Sequence, residues 1–257
     1  MVIEVEKELV AALKAARESG DEVFVRCCVL TGVKNEVPPG AYSPDVVGDS
    51  EEARMSEMDR MVNDTDITID HARLLRLYLA VKGHLWSQYR EGYNFHFGYN
   101  VTRDYRVARY WYTKAAERGN SWAQNNLGVM YADGLGGEED QEKAVYWYLK
   151  SAANGDETAK GNLGEHFVKG TGAKRSYQKA AKLLKEYLKS SPYSAKHHLL
   201  LAECYEHGVG GRNGRRLALF HYQEASDFGS IEARKALRRM HTNHPILQSS
   251  NGCLIMI

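Results

Sequence analysis

The feature that most constrains the fold of this chain is a segment that occurs twice. Residues 110–116 read YWYTKAA and residues 146–152 read YWYLKSA, so the segment returns after 36 positions. A period of about 20 to 50 residues is typical of arrays in which each repeat is one supersecondary unit. Such a unit buries its apolar face by stacking on its neighbours. The sequence therefore predicts a repeat architecture.

A second motif sets the register of the repeats. It consists of a Leu, a bulky residue four positions later and a Gly three positions after that. Its copies are Leu127-Tyr131-Gly134, Leu163-Phe167-Gly170, Leu201-Tyr205-Gly208 and, in a degenerate form, Leu85-Tyr89-Gly92. From Gly134 to Tyr148 there are 14 positions, but from Gly92 to Tyr112 there are 20. The first copy is therefore predicted to contain a six-residue insertion.

Apolar side chains follow helical spacing inside each unit. Leu127, Met130 and Tyr131 share one helix face, and segment 144–152 carries a second apolar stripe. Gly128 and Gly164 follow the repeated Leu, where a glycine costs a helix about 1 kcal/mol relative to Ala. We expect another helix backbone to approach the chain at these two glycines.

Segment 123–156, AQNNLGVMYADGLGGEEDQEKAVYWYLKSAANGD, resembles the repeat of the Sel-1-like repeat family, a branch of the tetratricopeptide-like superfamily. The resemblance extends roughly over residues 80–240. It implies an all-α protein, a right-handed α–α superhelix. We expect a repeat array over 71–240, preceded by an N-terminal helical segment with an acidic linker containing Pro and Gly over 1–70 and followed by a tail over 241–257.

Composition excludes few functions, since the net charge is +1 and 26% of the residues are charged. Residues 35–70 nevertheless contain ten acidic and two basic side chains, whereas the C-terminal part is rich in Lys and Arg. The acidic segment could fold back on the array, support head-to-tail dimerisation or form solvated helix faces. Nucleic-acid binding is not expected, because the basic end lacks interleaved aromatics.

The cysteines and the N-terminus predict a cytoplasmic protein. Cys27, Cys28, Cys204 and Cys253 lack metal-ligand spacing, and the adjacent pair is predicted to be buried. Secreted members of the family that the chain resembles carry a cysteine pair in each repeat, which is absent here. The sequence also lacks a signal-peptide core and the run of about 20 apolar residues that spans a membrane.

Helices are predicted over 4–17, 22–30 and 50–61 in the N-terminal segment and over 71–88 at the start of the array. The second of these could also be a strand, and Asp21 is its expected N-cap. Asp70 is the expected N-cap of the fourth, and segment 34–48 is predicted to be a linker.

The first connection between paired helices, residues 91–104, contains alternating aromatics. Tyr93, Phe95, Phe97 and Tyr99 suit a small hairpin or a projecting aromatic loop that contacts a ligand, or a cap over the first pair.

No catalytic motif, metal site or cofactor site is predicted. The glycine-rich segment 208–214 lacks the Lys-Ser/Thr end of a phosphate loop and is interpreted as a turn. His197 and His198 are adjacent and so cannot ligate a metal as an i, i+4 pair. His166, His207 and His221 are expected to be surface or packing residues.

The first helix of each pair lines the concave surface of tetratricopeptide-like folds, so the resemblance implies where a partner binds. The positions flanking the packing Leu are Trp122, Asn125, Asn126 and Val129 in one copy and Asn162, Glu165 and Lys169 in the next. Asn126 and Asn162 share one phase and either bind a peptide backbone or cap neighbouring helices.

Together these features predict a non-enzymatic adaptor, monomeric or homodimeric, that binds a protein or peptide segment. The alternatives are a cytosolic inhibitor or immunity protein against one toxin and, by analogy with family members, a hydrolase acting on β-lactams.

Overall fold

The computed structural model describes residues 2–33 and 69–242, and within these ranges the predicted all-α fold is confirmed. The twelve α-helices of the described ranges are α1 (Val2–Ser19), α2 (Glu22–Thr31), α3 (Ile69–Val81), α4 (Leu85–Phe97), α5 (Tyr105–Glu117), α6 (Ser121–Ala132), α7 (Gln141–Ala153), α8 (Glu157–Lys169), α9 (Tyr177–Ser190), α10 (Ala195–Glu206), α11 (Gly214–Asp227) and α12 (Ile231–Thr242). The chain divides into two compact units, Met1–Asn154 and Gly155–Ile257.

The two N-terminal helices begin and end close to the positions that the sequence predicts. Gly20, with φ at +75°, separates α1 from α2. The Asp21 carboxylate caps α2 by accepting a hydrogen bond of 2.9 Å from the Phe24 amide. The segment that was ambiguous between strand and helix is therefore a helix, as predicted.

Both N-terminal helices pack into the same hydrophobic core as the first repeat. Leu9 and Leu13 of α1 and Cys27 of α2 are fully buried, in one cluster with Trp111 of α5. The Trp111 indole Nε1 donates a hydrogen bond of 3.2 Å to Cys27 Sγ. Burial of the two adjacent thiols, predicted from sequence, is confirmed. In the first unit, α2 thus covers the second helix of the first repeat, while α1 packs on α2 and α3.

The single helix predicted over 71–88 is wrong. Two helices replace it, because Gly83 adopts a left-handed φ of +90° after α3. The His84 amide then donates a hydrogen bond of 2.8 Å to Leu79 O, which closes the C-terminus of α3. Asp70 lies within the first turn of α3 and does not precede it, so its predicted role as N-cap is wrong as well.

The hairpin or aromatic loop predicted over 91–104 is also wrong. α4 continues through Phe97 and ends at Gly98, whose φ is +78°. Phe95 is fully buried in the core, whereas Phe97 is exposed. The alternation of aromatics reflects side chains that belong to different faces of one helix.

Helix packing fixes the register of the first repeat and removes the predicted insertion. A Cβ on Gly92 would lie 2.5 Å from the Tyr112 ring, and a Cβ on Gly128 would lie 2.6 Å from the Tyr148 ring. Gly92 therefore corresponds to Gly128. In this register Gly98 corresponds to Gly134, and the distance from Gly98 to Tyr112 is the usual 14 positions.

The same contacts explain why glycine follows the repeated packing position. The second helix does approach these glycines, but its nearest atoms belong to a tyrosine ring and not to the helix backbone. In the second unit, a Cβ on Gly164 would lie 2.8 Å from Leu184 Cγ. Close packing of a large side chain offsets the low helix propensity of glycine.

The second unit contains α8 to α12, and its consecutive helices pack on each other. The glycine-rich segment 208–214 is a turn, as predicted, with a short 3-10 helix at Gly211–Asn213. The predicted linker over 34–48, the predicted acidic helix over 50–61 and the tail after Thr242 lie outside the described residues.

Candidate partner-binding surface

Six aromatic rings, five on the first helices of two repeats and one in the turn that follows, form a continuous cluster in the first unit, which we name the aromatic ladder. Its members are Trp122 of α6, Trp86, Tyr89, Tyr93 and Phe97 of α4, and Tyr99 in the turn after α4. Centroid distances are 5.4 Å for Trp86–Trp122, 5.2 Å for Trp86–Tyr89, 5.9 Å for Tyr89–Trp122, 6.1 Å for Tyr89–Tyr93, 4.6 Å for Tyr93–Phe97 and 5.6 Å for Tyr93–Tyr99.

The ladder forms because two sequence periods coincide. Trp86, Tyr89, Tyr93 and Phe97 are three or four positions apart, so they follow one face of α4. Trp122 is 36 positions after Trp86 and therefore occupies the same place on the first helix of the next repeat. Helix period and repeat period together bring the rings into contact.

The ladder remains open to solvent. Trp122 is 53% exposed, Tyr99 54%, Phe97 51% and Trp86 38%, while Tyr89 and Tyr93 are half-buried beneath them. Phe95, predicted as a contact residue, is fully buried and belongs to the core. The structure therefore brings together Tyr93, Phe97 and Trp122 from the predicted site and adds Trp86 and Tyr89.

The amides predicted to bind a peptide are already engaged in the first unit. Asn125 is buried. Asn126 Nδ2, on the first helix of one repeat, donates a hydrogen bond of 3.1 Å to the hydroxyl of Tyr112, on the second helix of the repeat before it. Burial raises the pKa of that Tyr112 hydroxyl, so it remains a neutral acceptor. Of the two roles left open for Asn126, this bond favours one within the array, although its acceptor is a side-chain hydroxyl and not a backbone group.

A different pair of amides repeats with the period of the array. Gln88 Nε2 donates to Ala80 O at 3.0 Å, and Gln124 Nε2 donates to Ala116 O at 2.9 Å. Both glutamines are buried and lie 36 positions apart. They tie the start of a first helix to the end of the helix before it, so this repeated amide is structural.

The predicted residues of the second unit lie on α8. Glu165 accepts hydrogen bonds of 2.7 Å from Lys169 and 2.5 Å from Lys196. Burial raises the pKa of Glu165, but these two ammonium groups more than offset the burial and lower it overall. Asn162 is half-buried and Lys169 is exposed. This part of α8 thus presents a charged network.

A pair of histidines in the second unit was missed by sequence reasoning. His198 Nδ1 and His221 Nδ1 are 2.9 Å apart, and His198 Nε2 lies 2.8 Å from Pro192 O. Burial lowers the pKa of His221 to about 4. A neutral His198 that donates from Nε2 to the carbonyl accepts at Nδ1, and His221 Nδ1 is then the donor of the pair.

The described residues form neither a metal-ligand cluster nor a membrane-spanning helix. In residues 2–33 and 69–242, no three His, Cys, Asp or Glu side chains are grouped as metal ligands would be. None of the described helices is both long enough and apolar enough to span a membrane.

Comparison with known proteins identifies the repeat. The Sel1 repeat model matches residues 87–120, 123–156, 159–186 and 198–229, and the first three matches begin 36 positions apart. This is the register that the packing of Gly92 and Gly128 gives. A search of curated proteins finds no match.

Two solved structures are similar to this chain. One is a protective antigen, present in uropathogenic Escherichia coli strains, that displays an SLR fold, with a TM-score of 0.62 and 27% identity over 74% of this chain and 41% of the antigen. The other is a Sel1 repeat protein from Oxalobacter formigenes, with a TM-score of 0.56 and 25% identity over 73% of this chain and 76% of that one. The match spans less than half of the antigen's length. On the four repeats and these two folds, the chain belongs to the Sel1 repeat family.

Proposed function

We propose that this chain is a non-enzymatic protein-binding module that holds a segment of a partner protein against the aromatic ladder. Sel1 repeats are generally helical scaffolds for protein–protein interaction and are typically non-catalytic. The observation that carries the proposal is the ladder itself, in which contacting rings are exposed on two successive first helices.

Energetics favour the ladder as an anchor. Trp and Tyr are enriched at binding hot spots, because a large ring buries much apolar area while few torsions become fixed. A contiguous aromatic patch that stays exposed marks an interaction surface more often than scattered apolar residues do. Here each ring rests on another ring, so the patch is pre-organised and binding costs little side-chain ordering.

Polar groups at the edges of the ladder can orient a bound partner segment. Indole Nε1 groups of Trp86 and Trp122 are donors, and the tyrosine hydroxyls both donate and accept. These groups suit the carbonyls of a bound backbone. The proposal includes a reducing cytoplasm, which agrees with the free buried thiols of Cys27, Cys28 and Cys204.

Site-specific crosslinking tests where the partner binds. A photo-reactive amino acid is placed at Trp122 and, as a matched control, at Tyr146 of α7, an aromatic that is 49% exposed in the same unit. We expect one discrete adduct from Trp122 in native cells and none from Tyr146. Equal crosslinking from both positions contradicts the proposal.

Alanine variants supply the second test. Trp86→Ala and Trp122→Ala should each weaken capture of the crosslinked partner by roughly tenfold or more, as expected for truncated hot-spot aromatics. Tyr146→Ala should leave capture unchanged. Melting temperatures of all three variants, measured by circular dichroism, verify that folding is intact.

A further inference from the structure

Building on the proposed function, we propose that the segment held by the aromatic ladder is an extended, proline-rich and acidic stretch of the partner. The shape of the ladder, the hydrogen-bonding groups at its edge and the cation beside it each favour this kind of ligand.

The shape of the ladder favours an extended ligand over a helix. Its neighbouring rings are in contact, with centroids 4.6 to 6.1 Å apart and interplanar angles from 7° to 70°. The ladder is therefore a narrow strip of exposed ring edges and faces along α4 that extends to Trp122 of α6. A helix is about 10 Å across and needs a broad groove. A pyrrolidine ring is small and flat enough to stack on the exposed face of a single aromatic ring.

A proline-rich segment also suits the donors of the ladder. Proline-rich chains adopt the polyproline II conformation, with three residues per turn and about 3.1 Å of rise per residue. That conformation forms no internal hydrogen bonds, so its carbonyls are free to accept from Trp and Tyr groups. Because it is formed before binding, the entropy cost of association is small.

The positive charge beside the ladder favours a ligand with negative charge. Arg90 of α4 lies with its guanidinium 5.7 Å from the Tyr93 ring centroid. A cation is therefore already placed against the middle of the ladder, and a second cation from a ligand would be repelled there. A carboxylate beside the prolines can accept a pair of hydrogen bonds from the guanidinium.

Three synthetic peptides of about twelve residues test the proposal on the full chain. The first repeats Pro-Pro-Pro-Glu, the second Ala-Ala-Ala-Glu and the third Pro-Pro-Pro-Lys. Isothermal titration calorimetry, with tryptophan fluorescence as a second readout, measures the Kd of each peptide. We expect the first peptide to bind at least tenfold more tightly than either of the others.

Two variants assign binding to the named groups. Trp122→Ala should weaken binding of the first peptide by at least tenfold, whereas Tyr146→Ala should not change it. Arg90→Glu should remove the preference for Glu over Lys peptides. Equal binding of the proline and alanine peptides, or no binding of the first peptide up to millimolar concentration, overturns the proposal.

Failure here is distinguishable from failure of the proposed function. If the proline peptide does not compete with a partner whose capture depends on Trp122, the ladder is a binding site but its ligand is of another kind. If that capture is insensitive to Trp122, the proposed function itself is wrong.

Discussion

Glu91 gives the sharpest test of how this fold is held together. In the corrected register it occupies the position of Leu127 and Leu163, and it is 2% exposed in the core of the first unit. Burying a carboxylate is costly, so the group holds its proton instead. We predict that Glu91→Gln removes most of the pH dependence of stability of the first unit near neutrality.

The magnitude follows from the environment of the carboxyl. Burial raises the pKa of Glu91 from 4.5 to about 7, although Arg76, Arg73 and Arg90 act to lower it. Each pKa unit corresponds to about 1.4 kcal/mol, so the shift is worth about 3 kcal/mol. The folded protein binds this proton more tightly than the unfolded chain does. The free energy of unfolding therefore falls as pH rises from about 4.5 to about 7 and then levels off.

Urea titrations at pH 5, 6, 7 and 8, followed by tryptophan fluorescence, measure this effect. All four tryptophans lie in the first unit, so the signal reports its unfolding. At each pH, the free energy of unfolding of Glu91→Gln is subtracted from that of the parent. This difference removes the contributions of groups that titrate in both proteins. From the acid limit to the alkaline limit, the free energy of unfolding of Glu91→Gln should rise by about 3 kcal/mol relative to that of the parent.

An exposed carboxyl serves as the control. Glu117→Gln on α5 should reproduce the parent at each pH, since Glu117 lies on the surface. If the free energies of unfolding of Glu91→Gln and the parent differ by a constant amount from pH 5 to pH 8, burial of this carboxyl does not govern the pH dependence of stability, and the reasoning is refuted.

Three further perturbations test the packing. Trp147→Ala removes a buried ring and should destabilise the first unit by about 3 to 5 kcal/mol in urea titrations. Gly128→Ala places a Cβ 2.6 Å from the Tyr148 ring and should cost about 1 to 3 kcal/mol, which Tyr148→Leu should partly restore. Deleting residues 1–68 should expose Trp111 and cause aggregation visible by light scattering; a monomeric truncation that melts like the parent would show that α1 and α2 are dispensable.

The repeat could be predicted from sequence because its packing residues recur with one period. Tyr112 and Tyr148 lie 36 positions apart, and each ring covers a glycine of the partner helix. The register of the first copy could not be found in the same way. Glu91 replaces the expected Leu, while Leu85 and Gly92 imitate the motif six positions too early. A buried carboxyl is invisible to an argument based on apolar periodicity.

The candidate site could be predicted only in part for a similar reason. Positions two residues apart on a packed helix differ sharply in exposure, as Phe95 and Phe97 show, and which of them is buried depends on the register. Asn126 was predicted as a binding residue, but its hydrogen bond to Tyr112 arises from a contact between two helices. Spacing along one helix does not reveal such a contact. Trp86 did leave a signal, because it lies one repeat before Trp122.

The position of the ladder within the repeat argues that its aromatics serve binding and not folding. In the second unit, the residues one period after Trp122 and two periods after Tyr89 and Tyr93 are Thr158, Gly161 and Glu165. The helix α8 that carries them still forms and still buries Leu163, so the repeat does not need an aromatic at these places. Ladder Trp and Tyr side chains at positions where a hydroxyl or a carboxylate suffices gain little from burial in the folded chain. Their apolar area is instead removed from water when a partner segment covers it, and that burial is the free energy on which the proposed interaction rests.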